Sequence, residues 1–336
     1  MPMFRISTRT EPSPLDGRDA VLADLDGVVY TGADAIPFAV ESLNRAGKTL
    51  RVGYITNNAS RTDASVAGHL SDLGLTVRPE DVVTSPQAAV VLLADLVPAG
   101  ATILVVGGEG LTTEVERAGF TVTRSADDAP AAVIQGFAPT VGWEQLAEAS
   151  FALHAGIPWV ATNTDWTIPV ARGIAPGNGT LVSAVHTAVG RLPVVAGKPE
   201  RAIFDAATAR FGSANPLFIG DRLDTDIAGA NAAGMDGAHV LTGIDRAKQL
   251  LAAEPKLRPQ YILGDLRELH VPYPATTVSK NGTHTVRRAR VRLDGDSVVI
   301  VDAGDDAIDL LRAACSVIWS SGRAIYGLEV PESLYT

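Results

Sequence analysis

Between residues 20 and 263 of this 336-residue chain, short apolar runs alternate with stretches of helical periodicity. No other feature constrains the fold as strongly, because strands joined by helical crossovers form a parallel sheet. Strands are predicted at residues 21–25, 51–56, 102–106, 132–135, 159–162, 217–220 and 238–241. A helix is predicted at 37–46, with Pro37 near its start and Gly47 just past its end. The pattern is too long for one simple doubly wound unit, and a chain of this length should hold two domains or three. It contains no internal repeat and no low-complexity segment.

After Tyr261 the texture changes. "HVPYPATTVSKNGTHT", from His270, is rich in proline, threonine and glycine and reads as a linker or exposed crossing. The segments "VRRARVRLDG", "SVVIVDAG", "DAIDLLRAACSVIWSSG" and "AIYGLEV" then predict strand, strand, helix and strand. This small α+β unit carries no evident chemistry.

The net charge of -10, from 28 basic and 38 acidic residues, argues against a nucleic-acid or anionic-membrane surface. The single cysteine, Cys315, excludes an internal disulfide framework and agrees with a cytoplasmic setting. The N-terminal "MPMFRISTRTEPSPLDGRD" lacks the apolar stretch of a signal peptide and reads as a polar leader. No apolar run reaches membrane-spanning length, so membrane insertion is not expected.

In a parallel sheet, ligands bind beyond the carboxyl ends of the strands. The stretch "AVLADLDGVVYTG" places Asp24 and Asp26 at such an end, two residues apart and therefore on one side of the strand. Two close carboxylates repel unless a cation or a proton lies between them. A calcium loop fails by count, since its first and last ligand positions would be Leu22 and Ala33. The alternative is a strand end whose acids merely keep the surface soluble.

Three further segments bear on that choice. "VGYITNNASR" ends its strand at Thr56, Asn57 and Asn58, groups able to bind phosphate oxygens at a strand-to-helix junction but equally ordinary in a turn. "VVAGKPERAIF" supplies Lys198 at a helix start, where a lone lysine is usually just solvated. "PLFIGDRLDTDIAGA" places Asp221 at a strand end after Gly220, with Asp224 and Asp226 as the next helix opens. Those last two also fit as residues that complement the helix dipole.

Taken in order, Asp24/Asp26, Thr56, Lys198 and Asp221 resemble the four motifs of the haloacid dehalogenase superfamily of phosphotransferases, over about residues 21–266. The long stretch between Thr56 and Lys198 resembles the larger α/β cap of the 4-nitrophenyl phosphatase and NagD-like group, and "DLDGVVY", "TNNASR", "VVGGEGL", "VATNTDWTIP", "PGNGTLVSAV" and "GDRLDTDI" along the chain are similar to that group too. The C-terminal unit adds a resemblance to the glycerol-3-phosphate phosphatases of actinobacteria. The resemblance implies an α/β fold: a Rossmann-like parallel-sheet core at 15–84 and 185–269, an inserted α/β cap at 85–184 and a small α+β C-terminal extension at 270–336.

It further implies a Mg²⁺-dependent phosphatase acting on a small phosphorylated metabolite, with Asp24 as nucleophile and Asp26 as acid and base. Asp24, Asp221 and the Asp26 carbonyl would hold the metal, with Asp226 outside the ligand set. Thr56 and Lys198 would bind phosphate oxygens, helped by Asn57 and Asn58. In "TNTDWTIP", Asn163, Asp165 and Trp166 are candidates for substrate selection, although a turn accounts for them equally well.

Glycerol 3-phosphate is the expected substrate, against phosphoglycolate, pyridoxal phosphate or another small metabolite. A phosphomutase and a non-catalytic binding protein remain as alternatives, and a homo-oligomer stays open. A dinucleotide site is disfavoured, because in "VVGGEGLTTEV" the third glycine of G-x-G-x-x-G would fall at Thr113. Neither a P-loop nor a G-x-S-x-G elbow occurs, and the six histidines show no metal-ligand spacing.

Overall fold

The computed structural model describes residues 11–170 and 172–335, so the expected polar leader lies outside the described residues as far as residue 10. Six parallel strands form the first sheet, in the order Tyr261–Leu263, Asp236–Val240, Pro216–Gly220, Ala20–Ala23, Arg51–Thr56 and Val82–Thr84. The chain builds outward from Ala20–Ala23 in one direction and later from Pro216–Gly220 in the other. The strand order therefore reverses between these two, and the crevice beyond their ends is where such sheets bind ligands.

Both faces of this sheet are buried. Val21, Ala23, Tyr54, Leu217 and Ile219 join one apolar layer with Leu43, Val66 and Leu70. Leu22, Ile55 and Phe218 join the other with Phe204, Ala207 and Phe211. Alternate residues thus serve opposite layers, which is why these strands read as continuous apolar runs. Gly53 is bare because a Cβ there would lie 2.4 Å from the Phe211 ring.

A second parallel sheet has the order Val194–Val195, Trp159–Ala161, Ala132–Gln135, Thr102–Val106 and Thr121–Thr123. Its strand Val194–Val195 lies past residue 184, so this sheet draws on the segment that the sequence division assigned to the core. At the other boundary, helix Ser85–Ala94 packs on helix Arg201–Phe211 and against helix Glu109–Arg117, touching elements on both sides of the division. A hairpin, Thr167–Val170 with Gly173–Pro176, stands apart from the five-stranded sheet.

The C-terminal unit is an antiparallel sheet of Thr276–Val278, Thr283–Val286, Ala289–Asp294 and Ser297–Asp302, covered by helix Ala307–Ser321. Two expectations are corrected here. The segment read as a linker contains the first two strands, whose threonines and valines suit a pleated surface. "AIYGLEV" is not a strand: a tight turn at Ile325–Gly327 interrupts it, and Glu329 makes only an isolated bridge to Ser297.

Leu311, Cys315 and Ile318 of the C-terminal helix share one apolar cluster with Leu250, Leu251 and Ile262 of the first domain. Arg312, 4% exposed, reaches the carbonyl of Ile262 on the sheet's edge strand, with Nε at 3.0 Å and a terminal nitrogen at 2.6 Å. The extension thereby covers an edge that would otherwise expose unpaired backbone groups.

Candidate active site

The site is built on the two strands that flank the reversal. Beyond Ala20–Ala23 the ladder continues for one residue, with the Asp24 N–H donating to the Ile219 carbonyl at 2.9 Å, which fixes where the Asp24 side chain begins. Asp221 follows the neighbouring strand, and two glycines make room for its carboxylate. A Cβ at Gly27 would lie 2.3 Å from Asp221 Oδ2, and one at Gly243 would lie 1.9 Å from it. Gly27 also has φ +79°, a conformation glycine adopts at no steric cost. The Ile244 N–H donates to Asp221 Oδ2 at 2.7 Å, so the loop after Asp236–Val240 closes over this acid.

Lys198 enters the same space, with Nζ 2.6 Å from Asp24 Oδ1 and 2.7 Å from Asp226 Oδ1. The second Asp226 oxygen accepts the N–H groups of Asp221, at 3.2 Å, and Arg222, at 3.1 Å. Asp226 lies in a wide π-type turn, Leu223–Ile227, that opens helix Ala228–Ala233; such turns occur often at functional sites. Gly220 stays bare because a Cβ there would lie 2.2 Å from the Asp226 Cβ.

Asp24, Asp221 and Asp226 are all buried, and one carboxylate oxygen from each lies within 4.8 Å of the others. Among the described residues no other such group of acids, histidines and cysteines occurs. Burial pushes Asp24 well above the usual carboxylate range, Asp226 adds repulsion, and Lys198 draws it back down. Burial, then Asp226, pushes Asp221 up to about 7. For Lys198, burial acts to lower the pKa, but Asp226 and Asp24 outweigh it and keep the ammonium charged.

Three acids share one ammonium, so full ionisation of the cluster calls for further positive charge, and the free ligand atoms are carboxylate oxygens. That donor set fits a hard divalent cation of the magnesium type. Asp24 and Asp221 are the acids best able to hold it, because both Asp226 oxygens are already committed to protein donors.

The other expected residues fall into two groups. Thr56 is buried at the end of its strand and its hydroxyl accepts the Asn58 N–H at 3.1 Å. Asp26 is exposed and lies outside the carboxylate cluster, in the field of Lys198, Arg61 and His69. Asn58 and Asn57 both carry side-chain hydrogen bonds within the protein. The Asn58 side-chain oxygen accepts the Ser60 N–H and hydroxyl, each at 2.9 Å, and so organises the turn that follows it. The Asn57 carboxamide is bonded to the Lys198 backbone and to Asp165.

Of the selection candidates, Asn163 is buried and fully engaged in local hydrogen bonds. Its Nδ2 donates to the Asn57 carbonyl at 2.7 Å, its Oδ1 accepts the Asp165 N–H, and its own carbonyl accepts Asn178 Nδ2. Asp165 joins the site through Asn57, and burial raises its pKa. Trp166 is 67% exposed, and its backbone carbonyl accepts from Gly177 and Thr180.

Sequence reasoning missed Gly243 and Ile244, for which "LTGID" offers only an unremarkable turn glycine. The glycine-rich "VVGGEG" has a packing explanation: a Cβ at Gly110 would lie 2.5 Å from the Arg61 carbonyl oxygen. Gly110 allows a close backbone crossing onto the loop after Thr56.

Two family models match the chain, one described as haloacid dehalogenase-like hydrolase over residues 21–121 and one as HAD-hydrolase-like over residues 195–269. The D-glycerol 3-phosphate phosphatase of Mycobacterium tuberculosis is 43% identical over 314 residues, covering 91% of this chain and 87% of that protein. A crystal structure of the glycerol phosphate phosphatase of M. tuberculosis in complex with magnesium superposes with a TM-score of 0.84 at 42% identity, covering 92% of this chain and 93% of that one. The acid sugar phosphatase of Staphylococcus haemolyticus is 35% identical, covering 73% of this chain and 92% of its own length.

Proposed function

This chain belongs to the haloacid dehalogenase-like hydrolases, and from that membership we propose that it is a Mg²⁺-dependent phosphatase of small phosphate monoesters, with glycerol 3-phosphate as substrate. The observation that carries the reading is the placement of Lys198 between Asp24 and Asp226, beside Asp221, where the strand order reverses. Phosphate monoesters hydrolyse extremely slowly in water, so a catalyst must supply a nucleophile, shield charge and protonate the leaving oxygen.

Asp24 supplies the nucleophile: one carboxylate oxygen bonds to phosphorus as the ester oxygen leaves, giving an aspartyl phosphate. Asp26, exposed two residues further along, delivers a proton to the leaving alkoxide and then takes one from the water that releases phosphate. Lys198 and Thr56 hold the phosphoryl oxygens, and Asp226 fixes the ammonium and the backbone of Asp221. Asp24, Asp221 and the Asp26 carbonyl would hold Mg²⁺, which when bound offsets the negative charge gathered on the phosphoryl group.

The core expected at residues 15–84 and 185–269, apart from Val194–Val195 which joins the second sheet, carries this chemistry, and the intervening cap selects the leaving group. The extension from residue 270 supports the sheet edge. The single buried cysteine and the net charge of -10 favour a cytoplasmic setting without a nucleic-acid partner. No helix among the described residues is long and apolar enough to cross a membrane.

The substrate assignment is tested by kcat/KM for glycerol 3-phosphate, phosphoglycolate and pyridoxal phosphate under one set of conditions. Glycerol 3-phosphate should lead. A tenfold advantage for either competitor, about 1.4 kcal/mol of transition-state preference, would reject glycerol and leave the phosphatase reading standing.

A further inference from the structure

Three distant segments converge on Asn57, a residue that the proposed chemistry leaves without a role. Its Oδ1 accepts the Lys198 N–H at 2.8 Å, and its Nδ2 donates to the Lys198 carbonyl at 3.1 Å. The same Nδ2 reaches the Asp165 carboxylate at 3.1 and 3.2 Å. The backbone carbonyl of Asn57 accepts Asn163 Nδ2 and the Ser85 hydroxyl, both at 2.7 Å. The position before Lys198 is bare for the same reason, since a Cβ at Gly197 would lie 2.6 Å from Asn57 Oδ1 and 2.5 Å from the Thr162 carbonyl oxygen.

A carboxamide offers one acceptor and one donor group from a single short side chain, which is what the two backbone groups of Lys198 require. Aspartate, of the same shape, would present two acceptors. It would lose the bond to the Lys198 carbonyl and face Asp165 with like charge.

We infer that Asn57 is a positioning residue that ties Lys198 to the cap loop at residues 163–165, so that the seat of the ammonium between Asp24 and Asp226 depends on the seating of that loop. The inference rests on the phosphatase reading, in which Lys198 meets the phosphoryl group. Displacing a positioned group by about an ångström can cost on the order of 100-fold in rate, so the tie should be visible in turnover.

The test compares Asn57→Ala, Asp165→Ala, the double variant and Asn57→Asp, with Mg²⁺ and glycerol 3-phosphate, reading kcat, KM and thermal midpoint separately. Asn57→Ala should lose about 10- to 100-fold in kcat with KM changed less than about threefold, the pattern of a lost transition-state contact. Asp165→Ala should act by the same route, so the double variant should be no slower than the slower single one. Asn57→Asp keeps the shape and should be at least as slow as Asn57→Ala; it carries the test if the alanine variant does not fold. Wild-type kcat in a folded Asn57 variant, or single losses that multiply in the double variant, would overturn the inference while leaving the phosphatase reading intact. A wild-type protein inactive on all phosphate esters would instead sink that reading and this one together.

Discussion

Two buried cations occupy opposite situations in this molecule. Lys198 and Arg312 are each 4% exposed, and each lies against two carboxylates. Around Arg312 the account balances. The guanidinium donates to the Ile262 carbonyl, to Asp309 and to Glu268, and it lies over the Tyr273 ring at 4.6 Å. Asp309 receives a second arginine, Arg287, at 3.1 Å. Around Lys198 it does not balance, because Asp24, Asp226 and Asp221 crowd one ammonium and burial pushes Asp24 and Asp221 upward.

The difference separates a charge kept for the fold from charges kept for chemistry. Arg312 uses its planar fork to satisfy backbone and side-chain acceptors at once, and so fastens the extension to the sheet edge. The Lys198 cluster is left short of positive charge, a cost that persists when surrounding structure holds the groups in place and a ligand completes them. Gly27, Gly220 and Gly243 are part of that holding structure, since each leaves space that an acid fills.

This contrast can be broken from either side. Among changes that leave the nucleophile in place, Lys198→Met should have the largest effect on turnover, a loss of about 100- to 1,000-fold in kcat, as for other preorganised charge-stabilising groups. A folded Lys198→Met with wild-type kcat would place the phosphate elsewhere. Gly243→Ala should push the Asp221 carboxylate aside and lower kcat about tenfold while raising the Mg²⁺ concentration needed for half-maximal activity. An unchanged Mg²⁺ titration would remove Asp221 from the metal.

Arg312→Met should reverse the pattern, lowering unfolding free energy by about 3 kcal/mol because Asp309 keeps less of its compensation, with kcat unchanged in the folded enzyme. Denaturant titration beside steady-state kinetics checks both halves, and a lost kcat at full stability would make the extension catalytic. Smallest of all, Asp224→Ala should alter stability by less than about 0.5 kcal/mol and leave kcat alone, because its pair with Arg222 is exposed.

Much of the site was legible because strand ends announce themselves: an apolar run, then Asp24, or Gly220 and then Asp221. Lys198 became legible only in its order relative to the others. The bonds that Asn57 makes were not legible, because its side-chain partners are remote in sequence. Asp165 and Lys198 lie 108 and 141 positions from Asn57, a separation no short pattern reports. Gly243 is silent for the same reason, as its importance is the proximity of Asp221. The strands Val82–Thr84, Thr121–Thr123 and Tyr261–Leu263 are three residues each, too short for periodicity to show. Thr276–Val278 and Thr283–Val286 were hidden by the turn residues around them.

The central claim is that Asp24 is the group that attacks phosphorus in a Mg²⁺-dependent hydrolysis. The most direct test is phosphate release from glycerol 3-phosphate by the wild-type protein and Asp24→Asn, each with Mg²⁺ and after thorough chelation, with thermal midpoints measured alongside. Asparagine keeps the volume and removes the nucleophilic carboxylate. Mg²⁺-dependent turnover by the wild-type protein and a loss of about 10,000-fold or more in a folded Asp24→Asn are the predicted results. Near wild-type release by Asp24→Asn, or full wild-type activity after chelation, would contradict it.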